Sequence, residues 1–220
     1  MLLRQQAPVV SDIIRAKGCI WDVTFSPDGS SFAIPATYAN TCTVIDFPSM
    51  SYRFKALTSD WALTASYSPD GKMLAIAVQD TCVLVYRVDT GDEVAKLCPP
   101  TDSHGLSYTR FSPDGRHLAV ICDNHCYVWR AGDWTRDPID IIIPLGRIDG
   151  GAVCFSADGA VLAVADSLGT LVLISVADSF KVVKTFRAVK GTHGTWTRFA
   201  SCIAASPLSV IEPDPELVEL

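Results

Sequence analysis

A turn sequence, Ser-Pro-Asp-Gly entered from an aromatic residue, recurs along this 220-residue chain at nearly constant spacing. The copies are Phe25-Ser26-Pro27-Asp28-Gly29, Tyr67-Ser68-Pro69-Asp70-Gly71 and Phe111-Ser112-Pro113-Asp114-Gly115, with Phe155-Ser156-Ala157-Asp158-Gly159 as a near-copy. The serines stand at 26, 68, 112 and 156, so the steps are 42, 44 and 44 residues. A period in that range means one small supersecondary unit repeated. Ser at the first position, Pro at the second and Gly at the fourth is the preferred chemistry of a type I turn, because Pro pre-sets φ and the Ser hydroxyl bonds locally. Each copy is therefore predicted to join two strands of a hairpin.

The surroundings of the turn repeat as well. After it come apolar runs such as Met73-Leu74-Ala75-Ile76-Ala77-Val78 and His117-Leu118-Ala119-Val120-Ile121-Cys122, then a polar break such as Gln79-Asp80-Thr81 or Asp123-Asn124. A second apolar run ends at Ile45, Tyr86, Trp129 and Ile174. A weaker fourth strand is predicted at Glu93–Leu97, Ile139–Ile143 and Lys181–Phe186. Short runs rich in Val, Ile and Leu, split by Gly, Asp and Asn, read as strands, and no stretch holds a helical period. The chain is thus expected to be all-β: a β-propeller of four-stranded antiparallel blades, about four complete and a partial fifth.

These units resemble WD repeats, in which a strand ends in a Ser-Pro-Asp-Gly turn, an Asp marks a later turn and Trp-Asp closes the third strand. The resemblance covers roughly residues 16 to 188. Asp80, 12 residues after Ser68, keeps the second turn best. Among the closing positions only Trp129 is Trp, and Arg130 follows it; only Ile45 is followed by an acid, Asp46. The family's Gly-His pair is present only in reverse order, at His104-Gly105 and His193-Gly194. The resemblance implies a non-catalytic protein-interaction scaffold. The alternative is a propeller module that serves an enzyme or binds a small ligand in its channel.

The expected organisation is an N-terminal strand and lead-in at 1–15 (Val9 to Ile14), blades over 16–199, and a divergent acidic, Pro-containing tail at 200–220. A fifth blade begins at His193-Gly194-Thr195-Trp196-Thr197-Arg198-Phe199, which echoes His104 to Phe111. Where its turn is due, the chain reads Ala200-Ser201-Cys202-Ile203. Three readings stand: a shortened product of a longer gene, half of a propeller completed by another chain, or a five-blade ring closed by the N-terminal strand. The abrupt loss of register favours the first two.

Composition narrows the partners. A net charge of −6 argues against nucleic acid, which needs a basic face. No apolar run is long enough to span a bilayer, and Met1 to Gln6 lack the apolar core of a secretion signal. Cys42, Cys82, Cys122 and Cys154 fall within apolar strands, where a free thiol acts as a small hydrophobe; a reducing, cytoplasmic setting is expected. The cluster Cys122-Asp123-Asn124-His125-Cys126 has metal-ligand residue types, and hairpin geometry would make its two cysteines neighbours. A structural zinc site needs four convergent ligands, so neither metal nor cofactor is expected. No nucleophile elbow, phosphate loop or metalloprotease motif is present, and the chain is read as not an enzyme.

The candidate partner-binding residues are aromatic. Trp21, Trp61, Tyr108 and Trp196 fall four to seven residues before the turn position of their unit, at the start of the innermost strand and near one rim of the channel. Trp and Tyr are the usual anchors of interfaces, and packing between blades is the competing explanation. Arg110 and Arg198 precede the Phe of their strands and are candidate anchors for an acidic ligand. Ser206-Pro207 is a candidate phosphorylation site by composition.

Overall fold

The computed structural model describes residues 19–79, 82–100, 106–122, 124–143, 152–165 and 170–187. These residues form four antiparallel four-stranded sheets and, among them, no helix. The first blade comprises β1 (Thr24–Phe25), β2 (Ser31–Ala36), β3 (Thr41–Asp46) and β4 (Tyr52–Leu57). The second comprises β5 (Ala62–Tyr67), β6 (Met73–Val78), β7 (Cys82–Arg87) and β8 (Glu93–Leu97). In the third come β9 (Leu106–Phe111), β10 (His117–Cys122), β11 (His125–Arg130) and β12 (Ile139–Ile142). The fourth holds β13 (Ala152–Phe155), β14 (Val161–Ala165), β15 (Thr170–Ser175) and β16 (Lys181–Arg187). Each blade is a simple meander, and the whole is a β-propeller architecture. The expected lead-in at Val9 to Ile14, the partial fifth blade and the acidic tail lie outside the described residues.

The repeated turn explains its own residues. In every copy the Gly N–H donates to the Ser carbonyl at 2.8–2.9 Å, and the glycines sit at φ of 69–71°, the left-handed region that a side chain disfavours. The Ser hydroxyl donates to the Asp carboxylate at 2.5–2.6 Å. The same oxygen accepts the N–H of the residue that opens the next strand, at 2.9–3.0 Å. The Asp in turn accepts the N–H two residues on, at 3.0–3.1 Å. Ser and Asp together thus satisfy the backbone donors that the hairpin leaves unpaired.

Packing runs between blades. One buried cluster joins blades one and two through Ala33, Cys42 and Val44 against Tyr67, Leu74 and Ile76. A second joins blades two and three, and a third joins blades three and four. Polar bonds tie the innermost strands: the Thr109 N–H donates to Thr64 Oγ1 at 3.3 Å and the Phe111 N–H to Ser66 Oγ at 3.0 Å. Ala65 N–H likewise donates to the Asp22 carboxylate at 3.2 Å. Among the described residues, no buried cluster joins blade four to blade one.

Two expectations about cysteine are corrected. Cys82 is not a free thiol but forms a disulfide with Cys98, because the β7–β8 register sets Val83 opposite Leu97 and so brings the flanking cysteines together. Cys122 and Cys126 are not neighbours either. The hairpin pairs Cys122 with His125 and Ile121 with Cys126, so the thiols point to opposite faces of the sheet. Cys122 packs with Tyr127 and Trp129 toward blade two, Cys126 with Ala119 and Val128 toward blade four.

Candidate functional site

Antiparallel meanders place the starts of the innermost strands at one end of the arc and the Ser-Pro-Asp-Gly turns at the other. The first end carries the aromatic candidates. Before β1, an isolated bridge pairs Ile20 with Ala36, and Thr37 donates from its hydroxyl to the Cys19 carbonyl at 2.9 Å. That anchoring holds Trp21 at the rim with half of its surface in solvent. Trp61 begins the second blade, partly buried. Its N–H donates to Asp60 Oδ1 at 2.7 Å, and its carbonyl accepts from Gln79 N–H at 2.9 Å. The indole meets the ring of Tyr38 edge-on at 4.8 Å, across the junction of blades one and two.

Tyr38 was not among the residues singled out in the sequence. It stands in the first blade's β2–β3 turn and is exposed. The signal was there: Thr37-Tyr38-Ala39-Asn40 puts an aromatic residue where the other units have Gln, Asp or Asn. Tyr108, by contrast, is partly buried and packs against the cluster between blades three and four, which gives it an interior role. Arg110 stands opposite Ala119, on the side facing blade four. Burial raises the Cys154 thiol and the charge of Arg110 pulls it partly back. Trp196 and Arg198 lie outside the described residues. The structure therefore groups Trp61 with Tyr38 at the rim, exposes Trp21, and sets Tyr108 inward.

At the opposite end, the turn carboxylates are held ionised. The Ser26 hydroxyl, with the Ser30 N–H and hydroxyl, brings Asp28 down to about 2. The Ser68 and Ser156 hydroxyls also lower the pKa values of Asp70 and Asp158; at Asp114 burial pulls upward but is outweighed by the Ser112 hydroxyl and the Arg116 N–H. These acids are structural acceptors with their lone pairs engaged. The buried thiols are likewise poor nucleophiles: burial pushes Cys126 up to about 12 and Cys42 well above its ordinary value. His125 Nδ1 pairs with Asp140 at 2.7 Å and its ring stacks on Tyr127 at 5.5 Å, which fixes β11 to β12. Among the described residues no group of three or more His, Cys, Asp or Glu is placed to hold a metal ion. No described helix is long and apolar enough to cross a membrane.

Comparison with known proteins agrees with this geometry. Residues 96–130 match the family model "WD domain, G-beta repeat". Actin-interacting protein 1 of Drosophila melanogaster is 25% identical over 186 residues, which is 83% of this chain and 29% of that protein. The 77 kDa echinoderm microtubule-associated protein of Lytechinus variegatus is 24% identical over 118 residues, 53% of this chain and 17% of the relative. SAGA complex subunit Spt8 of Schizosaccharomyces pombe is 38% identical over 61 residues, 27% of this chain and 12% of the relative. The chain thus spans less than a third of the length of each of these curated relatives. Hydrazine synthase of Kuenenia stuttgartiensis shares the fold with a TM-score of 0.65 at 21% identity, over 76% of this chain and 48% of that one.

Proposed function

This chain belongs to the WD-repeat family, and from that footing we propose that it is a non-catalytic scaffold that binds other proteins through its rim. The observation that carries the reading is the Tyr38–Trp61 pair, an aromatic contact across two blades with one ring in solvent, beside the half-exposed Trp21. Large aromatic side chains held rigidly at a surface supply contact area at little entropic cost, which is the chemistry of an interface anchor. Tyr108 and Arg110 contribute by holding the innermost strand of the third blade. The names of the relatives connect them with actin, microtubules and the SAGA complex, which supports a macromolecular partner. The net charge of −6 favours a protein over nucleic acid. Filamentous actin and microtubules are the probes to begin with, in co-sedimentation with the full chain. Trp21→Ala and Trp61→Ala are expected to weaken the polymer that binds by roughly tenfold or more each, and Trp21→Ala to leave the melting temperature unchanged. A chain that sediments with neither polymer, or whose Trp21→Ala variant binds as the parent does, refutes the rim assignment.

A further inference from the structure

Along the inner edge, side chains of one blade accept backbone N–H groups of the next. Thr24, Ser66, Arg110 and Cys154 hold the same place in their blades, each paired with an alanine of the following strand: Ala33, Ala75, Ala119 and Ala163. Two residues earlier stand Asp22, Thr64, Tyr108 and Ala152. In the first two blades both places carry a side-chain oxygen. Asp22 accepts the Ala65 N–H at 3.2 Å, Thr64 the Thr109 N–H at 3.3 Å and Ser66 the Phe111 N–H at 3.0 Å. Thr24 carries a hydroxyl at the remaining place.

The third blade breaks this pattern. The place of Ser66 is taken by Arg110, whose guanidinium has only donors. The N–H that belongs to it is that of Phe155, the counterpart of Phe111. Ser156 N–H donates to the Val161 carbonyl at 2.8 Å, as Ser112 N–H does to the His117 carbonyl at 2.9 Å. Antiparallel pairing alternates, so in both blades the N–H of the preceding Phe points away from the neighbouring strand of its own sheet, to the inner edge. At Phe111 it finds Ser66; at Phe155 neither it nor the Arg110 guanidinium meets an acceptor among the described residues. A buried N–H left in that state is costly, and Phe155 is buried. Arg110 and Cys154 are only half-buried, whereas Thr64 and Ser66 are buried, so solvent and solutes reach this stretch of the edge.

We propose that the inner edge between the third and fourth blades, formed by the Arg110 guanidinium and the Phe155 N–H, is an anion site for the carboxylate of an acidic side chain of a protein partner. One oxygen accepts from the Phe155 N–H, as Ser66 Oγ does from Phe111, and the other from the guanidinium. A carboxylate is favoured over a phosphate on two grounds. The planar guanidinium fork matches a planar carboxylate. Arg110 is also the only cation on β1, β5, β9 and β13, so a single negative charge is balanced and a double one is not. The site goes beyond the rim reading and does not rest on it, since none of Trp21, Tyr38 or Trp61 takes part.

The test follows the backbone amide resonances of the isotope-labelled full chain as a blocked glycyl-glutamyl-glycine peptide is added. The glutaminyl counterpart of that peptide and inorganic phosphate are titrated beside it at equal ionic strength. The glutamyl peptide is expected to shift the Phe155 amide saturably, and the glutaminyl peptide to leave it in place. Arg110→Ser gives the third blade the hydroxyl that the second already has at Ser66. It is therefore expected to melt no lower than the parent and to bind the glutamyl peptide roughly tenfold or more weakly, the loss of a charge-assisted bond. Arg110→Lys keeps the charge without the fork and is expected to fall between the two. A Phe155 amide that ignores the glutamyl peptide, that moves equally with the glutaminyl one, or that still moves in Arg110→Ser overturns the proposal. Tighter binding of phosphate than of the glutamyl peptide overturns it as well.

Discussion

The third blade hides both of its faces and the fourth hides one. In the third, Leu118, Val120 and Tyr127 are buried toward blade two, while Ala119, Cys126 and Val128 are buried toward blade four. In the fourth, Leu162, Val164 and Val172 are buried, but Ala163, Leu171 and Leu173, which repeat Ala119, Cys126 and Val128, are only half-buried. Both sheets are apolar on both sides, so the sequence of a blade states what it is able to cover, and its neighbours decide what is covered. Among the described residues the first blade is the mirror case: Val23 and Phe25 of its innermost segment are exposed.

The largest effect expected from that contrast is on stability. Leu118→Ala removes a fully buried side chain from the junction of blades two and three and is expected to cost about 2–5 kcal/mol. Leu173→Ala, on the half-buried side of the fourth blade, is expected to cost about 1 kcal/mol or less, because the cavity it leaves is open to water. Urea titration of the two variants makes the comparison. Equal costs would mean that the outer face of blade four is covered in solution.

What could be read in the chain beforehand follows the same division between local and relayed information. A hairpin is local: the turn fixes its own φ values and hydrogen bonds, the apolar runs fix the strands, and β8 falls on the predicted Glu93–Leu97. Contacts between units are harder to see. The Cys82–Cys98 bond needs the β7–β8 register, which shifts at a bulge between Val85 and Tyr86. The opposite facing of Cys122 and Cys126 was overlooked because cysteines four apart across a tight hairpin look adjacent until the one-residue offset in pairing is counted. Tyr38 meets Trp61 only once blade one is set beside blade two, so the inward and outward members of the aromatic set could not be sorted from their offsets. The proline of the turn carried a second role that its own turn does not reveal, as the neighbour of the next glycine.

A smaller effect sharpens that second role. Pro69→Ala frees the unfolded chain, which costs about 0.4–1 kcal/mol, and also strips the contact with Gly115. Ala157→Pro is expected to gain only the entropic part, about 0.4–1 kcal/mol, since no described glycine receives it. Chemical denaturation midpoints read both. If Pro69→Ala loses no more than Ala157→Pro gains, the ladder of prolines and glycines contributes nothing to the junctions.

The smallest effect depends on pH and distinguishes the third junction from the turns. His117 lies where β10 faces blade four, its ring edge-on to Phe180 at 5.2 Å and its Nδ1 buried without a partner. Burial lowers its pKa from the ordinary histidine value; Asp114 opposes that shift, and Arg130 and Arg116 add to it. A histidine whose folded-state pKa is depressed binds its proton more readily when unfolded. Stability therefore falls as pH drops below about 6.5, the unfolded value, and levels off beneath the folded one. The turn carboxylates act in a separate window: their folded pKa values are lowered, so their contribution is full above the unfolded carboxylate range and is lost as pH falls through the folded values, near 2 at Asp28. Denaturant titrations from pH 8 to pH 3 are expected to show the first decline setting in below about 6.5 and the second below about 4. His117→Leu keeps an apolar partner for Phe180 and removes the upper decline, while Ser68→Ala shifts only the lower one. An upper decline that survives His117→Leu would assign it to another histidine and leave the third junction insensitive to pH.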